Sequence, residues 1–213
     1  MTAREHILGQ LRDNARGDAA PPAPWQSRRQ FDDMAARFIA SLEKVKGAAY
    51  RVASLDVALD KLGELLQTLE AERIVVNNEA PFDTLDLPGR WPEAEWHTVG
   101  QAGDLRAACA AADVGLSSAD AALAETGTLV LSSGPGRSRL VTLLPPVHIA
   151  LVPAACLTPD IFTWTATRHA AGLADAMPAN LILVSGPSKT ADIEQTLAVG
   201  VHGPKRFIVV LYD

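Results

Sequence analysis

The chain has 213 residues, 48% of them hydrophobic and 21% charged, with a net charge of −6. That length suits one large domain, or a domain with an appendage, and the mild acidity leaves no electrostatic footprint for nucleic acid or an anionic membrane surface. No apolar run reaches the ~20 residues that span a bilayer, and the opening MTAREHILGQLRDNARG lacks the apolar core of a secretory signal, so a cytoplasmic protein is expected.

Residues 4–16 read as a first amphipathic helix, ended by the Pro-rich GDAAPPAPW. A second helix is expected over 28–46, where Phe31, Met34, Ala35, Phe38, Ile39 and Leu42 recur at three-to-four spacing and make one apolar face. These helices, residues 1–47, form the expected appendage to an α/β domain spanning 48–213. That domain opens with a strand at 48–53. A helix follows with Ser54 as N-cap and Leu55, Leu59, Leu62, Leu66 and Leu69 on one face. RIVVNN (73–78) is a short buried strand, and residues 81–96 read as loop. DLRAACAAA is a helix and DVGLSS a strand. TGTLVLSSG (126–134) is a strand entering a Gly-rich turn, and VHIALVP (147–153) is another strand. The helix in TPDIFTWTATRHAAGLADAM takes Thr158 as N-cap and Pro159 as first residue. LILVS and RFIVVLY close the series as core strands. Continuous apolar runs separated by helices predict an α/β fold with a mostly parallel or mixed sheet and helices on both faces.

In an open parallel sheet ligands bind beyond the carboxyl ends of the strands, so the loops leaving strands hold the candidates. After LILVS, the sequence SGPSKTADIE suggests a turn at Gly186 and a short helix from Ser188 or Lys189. The helix N-terminus and the Lys189 charge would then favour an anion. Ser185, Thr190, Asp192, Glu194 and His202 surround that turn in sequence. Glu125 precedes the Thr126-Gly127-Thr128 entry into an apolar strand, where a buried carboxylate needs a partner. Arg137, in SSGPGRSR, is a candidate phosphate clamp with Arg139, although neither a P-loop nor a dinucleotide fingerprint is present. His148 follows LPP at the start of a strand. No hydrolase triad order or HExxH occurs. Cys109 and Cys156 lie among small apolar residues, with no CxxC pair. Two thiols cannot supply the four thiolates of an iron–sulfur cluster, and no zinc spacing occurs, so neither metal nor other cofactor is expected.

DAALAETGTLVL, LPPVHIALV and GPSKTADIEQTLAVGVHGP together, in that order and spacing, resemble the LUD-domain family, of the lactate-utilization protein C type. The likeness spans residues 119–204 by motif and 48–213 by element pattern. It implies a fold similar to the ribose-phosphate isomerase and CoA-transferase superfamily. It also implies a role in oxidising L-lactate to pyruvate beside iron–sulfur partner proteins, in which this chain is a non-redox accessory subunit that binds a small carboxylate or phosphate-bearing ligand, those partner proteins, or both. A longer relative carries a Cys-rich tail that is lacking after VVLYD. The alternative is a free-standing CoA-transferase-like or sugar-phosphate-isomerase-like enzyme with Glu125 as base or nucleophile. Thr126 stands where the CoA-transferase Glu-Asn-Gly motif has Asn, which argues against a covalent glutamyl thioester. Glu125, Thr126 and the 186–194 turn are expected to share one pocket.

Overall fold

The structure is a computed structural model that describes residues 2–14, 25–173, 178–191 and 197–213. In chain order the elements are α1 (Ala3–Asp13), α2 (Met34–Lys44), β1 (Ala48–Val52), α3 (Leu55–Thr68), β2 (Arg73–Val76), α4 (Leu87–Arg90), β3 (Glu95–Thr98), α5 (Leu105–Ala111), β4 (Val114–Ser117), β5 (Ala121–Leu123), β6 (Thr128–Ser132), α6 (Arg139–Leu143), β7 (Val147–Pro153), β8 (Leu157–Thr158), α7 (Ile161–Ala170), β9 (Leu181–Val184), β10 (Lys189–Ala191), β11 (Leu197–Val199) and β12 (Arg206–Tyr212).

Six strands form one sheet in the order β1-β12-β7-β4-β2-β3, and every neighbouring pair is parallel. Both faces are covered, as a parallel sheet requires. The pleat divides each strand between two cores. Val147, Ile149 and Leu151 of β7 join Ile208 and Val210 of β12 against Leu59, Leu62 and Leu66 of α3. Ala150 and Val152, with Phe207, Val209 and Leu211, face the opposite way, toward Phe38 and Leu42 of α2 and Leu129 and Leu131 of β6. That second face is closed partly by a separate four-stranded mixed sheet, β8-β5-β6-β9.

Local chemistry fixes the helix starts. The Asp33 carboxylate accepts from the Ala36 N–H, so α2 begins at Met34 and not at the expected Arg28. Ser54 caps α3 through the Val57 N–H. The cap of α7 is Asp160, not Thr158. Asp160 accepts from the Thr163 N–H at 2.8 Å, whereas Thr158 is held in β8 opposite Leu123.

Three further expectations are corrected. Residues 95–98 are an edge strand of the parallel sheet, not loop. LILVS is not a strand of the main sheet: β9 lies at the edge of the second sheet, paired only with β6 among the described residues, and Leu183 is 56% exposed. No helix starts at Ser188 or Lys189. Lys189–Ala191 is a strand, antiparallel to Leu197–Val199, so no helix terminus is available there for an anion. Asp192 and Glu194 lie outside the described residues.

Candidate functional site

β2 and β4 are neighbours in the parallel sheet, and the chain leaving their carboxyl ends builds a polar centre. Asn77 and Glu79 follow β2; Ser118 and Asp120 follow β4. The Glu79 carboxylate accepts from the Ser118 N–H at 3.0 Å and from the Asn77 amide at 3.1 Å. Asn77 in turn accepts from the Ser138 N–H at 3.0 Å. Arg137 donates to Asp120 at 2.8 Å and lies 4.0 Å from the second Glu79 oxygen. Gly136 makes this possible: its φ is +73, and an added Cβ would sit 2.2 Å from the Asn78 carbonyl oxygen. The Asn78 N–H donates to the Gly136 carbonyl at 2.8 Å, which ties the Arg137 loop to the end of β2. Burial pushes the Glu79 carboxyl up, although the Ser118 and Asn77 bonds and the Arg137 charge pull the other way. A half-buried carboxyl of raised pKa beside a guanidinium, at strand ends, is the arrangement expected of a proton-handling or ligand-orienting group. Arg137 is thus held by two carboxylates, which does not suit it to clamp a phosphate.

His148 is fully buried, 5.2 Å from the Phe207 ring. The Ser117 hydroxyl donates to the Ser118 carbonyl at 2.9 Å, so His148 Nε2 donates to Ser117 across the 2.8 Å contact. Nδ1 is then the unprotonated nitrogen, and it meets no partner among the described residues. Burial lowers the His148 pKa to about 3. With both side chains buried, this Ser–His pair offers nothing to a substrate, and a ligand contact by His148 is replaced by a packing role.

Glu125, Thr126, Thr128 and Ser185 do converge. With Leu123, Asp160, Ile161 and Leu183 they line one cavity of about 260 Å³. The Thr126 and Thr128 hydroxyls are 2.7 Å apart, and Thr128 is 2.7 Å from the Ser185 hydroxyl. Arg29 donates to the Glu125 carboxylate at 2.9 Å and stands 3.7 Å from Asp160. Ser27 donates to Asp160 as well. Burial alone would raise the Asp160 carboxyl, but bonds from Ser27 and Thr163 and the Arg29 charge hold it below its usual value. The extended segment before α2 is therefore pinned across this cavity. Gly127 turns away from it and packs on α2.

Beyond Ser185 the chain leaves the cavity. Gly186, with φ +107, packs on Val45. Lys189 donates to the Val45 carbonyl. Ser188 donates through its N–H to the Pro204 carbonyl at 2.9 Å and receives the Gly200 N–H at 3.0 Å. His202 is exposed and reaches the same serine through its N–H, at 3.4 Å. Thr190 is paired opposite Ala198 in the hairpin. These residues knit the hairpin to α2 and to the start of β12, apart from the Glu125 cavity.

Glu79, Asn77 and Asp120 were not singled out by the sequence reading. The signal was present for all three: Asn77 and Glu79 closely follow an apolar strand, and Asp120 opens DAALAETGTLVL. Among the described residues, no group of three or more His, Cys, Asp or Glu is placed to hold a metal ion, and no helix is long and apolar enough to cross a membrane.

Comparison with known proteins places this architecture. The LUD domain profile matches residues 35–212. Lactate utilization protein C of Halalkalibacterium halodurans is 38% identical over 75% of this chain and 70% of its own length. The protein of that name from Exiguobacterium sp. is also 38% identical, over 71% of this chain and 66% of its own length. Lactate utilization protein C 1 of Bacillus mycoides is 34% identical over 73% of this chain and 69% of its own. A DUF162-family protein from Deinococcus radiodurans has the same fold, with a TM-score of 0.59 at 20% identity over 84% of this chain and 96% of that one.

Proposed function

The chain belongs to the LUD-domain family, and from that premise we propose that it serves lactate utilization as a non-redox accessory subunit beside iron–sulfur proteins. The observation that carries this reading is the likeness, over most of the chain, to proteins named lactate utilization protein C. The donor set supports this division of labour. The sequence holds two cysteines; Cys109 is buried, and burial pushes its thiol up to about 11. Two thiols fall short of the four thiolates that an iron–sulfur cluster takes. Electron transfer then falls to partners that hold clusters, while the strand-end residues of this chain bind a small anionic ligand. The CoA-transferase-like or isomerase-like alternative has the Glu125 geometry against it: Arg29 already neutralises that carboxylate at 2.9 Å.

Disruption of the coding sequence in its host tests the role. Growth on L-lactate should fail while growth on glucose is unaffected, and the intact sequence supplied in trans should restore it. Normal growth on L-lactate without this chain would overturn the reading. Affinity capture of the tagged chain from lactate-grown cells should bring down iron-containing proteins.

A further inference from the structure

We propose that a small cavity between α7 and the edge of the second sheet is a binding site for a 2-hydroxy-carboxylate monoanion of a few carbons. The choice of lactate as its probe rests on the lactate-utilization reading; the site itself rests on the groups that line it. The cavity measures about 90 Å³ and is lined by Asp120, Arg137, Trp164, Arg168, Ser132 and Leu181, with Pro178 at its side. That is far below the ~300 Å³ at which drug-sized sites begin, so only a ligand of few heavy atoms fits.

The charges select its class. Arg137 is answered by Asp120 at 2.8 Å and by Glu79 at 4.0 Å. Arg168 has no carboxylate partner among the described residues. Its guanidinium lies over the Trp164 ring, 5.2 Å from the centroid, and its Nε is buried without a hydrogen-bond partner. Arg168 is therefore the cation without a carboxylate partner among the described residues, on a planar fork that suits a carboxylate. The complementary vacancy is an acceptor. Asp120 gives Oδ1 to Arg137, while its buried Oδ2 meets no donor. A buried acceptor without a donor is costly, and a ligand hydroxyl would satisfy it. A 2-hydroxy acid carries a carboxylate for Arg168 and a hydroxyl donor for Asp120 on adjacent carbons. Trp164 and Leu181 offer an apolar wall to its short side chain. A 2-oxo acid keeps the carboxylate and lacks the donor, so the cavity favours the hydroxy acid over its oxidised counterpart.

Calorimetric titration of the full chain with L-lactate, pyruvate and propionate decides this. L-Lactate should bind, with pyruvate and propionate weaker by about tenfold or more, the scale of one hydrogen bond. Arg168→Gln should weaken L-lactate by about tenfold or more while the melting temperature holds. Asp120→Asn should erase the preference for L-lactate over propionate. Because Asp120 also pairs with Arg137, Arg168→Gln carries the test if that variant fails to fold. No heat with L-lactate, equal affinity for L-lactate and propionate, or unchanged binding by folded Arg168→Gln overturns the proposal. A growth defect on lactate without L-lactate binding would sink this site and leave the proposed function standing. Binding without a growth defect would do the reverse.

Discussion

His148 shows how one buried residue ties stability to pH. In the unfolded chain the imidazole takes up a proton near its ordinary pKa of 6.5, whereas burial lowers it to about 3 in the fold. The unfolded state thus binds more protons across that window, and the folded state loses stability as pH falls from about 6.5 toward 3. At one kcal/mol or so per pH unit of difference, the loss is several kcal/mol, a large share of the ~5–15 kcal/mol that holds a typical domain together. His148→Met keeps the volume and the Ser117–Ser118 bond and removes the titration. Urea unfolding between pH 7 and 4 should show wild-type stability falling and the variant's falling less. Parallel pH profiles would mean that other groups govern acid unfolding. Glu79 works in the opposite sense. Its folded pKa is raised by burial, so its contribution is present below 4.5 and declines as pH rises through the folded value.

The Thr-Gly-Thr turn between β5 and β6 packs backbone to backbone on α2. Gly127 has φ +65, and an added Cβ would lie 2.3 Å from the Leu42 backbone nitrogen in α2. Gly127→Ala meets both a left-handed backbone and a backbone clash that no side-chain rotation relieves. It should cost at least about 2 kcal/mol, given ~1–3 kcal/mol for the φ alone. A urea midpoint unchanged from wild type would show that the turn can re-form away from α2. Elements with a strong local signal were legible: α3 has a capping serine and a leucine face, and β7 and β12 are apolar runs too continuous for an exposed strand. β3 was hidden because EWHT is a half-exposed edge strand. The hairpin of β10 and β11 was read as a helix start because Ser188, Asp192 and Glu194 imitate a cap and a first turn. Pairing of Lys189 with Val199 overrides that local preference. The pocket expected for Glu125, Thr126 and the 186–194 turn reaches only Ser185: the start of β6 lies beside the end of antiparallel β9, which sequence pattern does not reveal, and Gly186 and Lys189 turn to Val45 instead. Nor does that pattern hint that Arg137 would turn onto Asp120, because that contact depends on how Gly136 packs on Asn78.

At the scale of the molecule, the parallel sheet is held from two sides, and α2 is part of what holds it. Phe38 and Leu42 are fully buried in the core shared by β7, β12 and β6, and Ala35 is 4% exposed. The Ser41 hydroxyl donates to the Glu125 carbonyl at 3.0 Å, and Arg37 donates there at 3.3 Å. α1 differs: it buries no residue, and Ile7 and Leu11 are exposed. The N-terminal helices should therefore part company when the chain is shortened. Removing residues 1–14 takes away nothing buried and should leave the urea midpoint unchanged. Removing residues 1–44 uncovers Phe207, Val209 and Leu211 on one face of the sheet. Truncating a single buried Phe costs ~3–5 kcal/mol and a buried Leu ~2–5 kcal/mol. Loss of Phe38 and Leu42 together thus approaches the whole ~5–15 kcal/mol stability of a domain. The shorter chain should be insoluble or unfold without a cooperative transition. In the full chain, Phe38→Ala alone should lower stability by about 3–5 kcal/mol. If residues 45–213 instead unfold cooperatively at the wild-type urea concentration, α2 is dispensable packing and the α/β unit folds without it. The partial result also discriminates. A soluble 45–213 fragment that binds a hydrophobic dye and has lost near-ultraviolet dichroism would retain its strands but lack a fixed core, as expected if α2 closes that face of the sheet rather than resting on it.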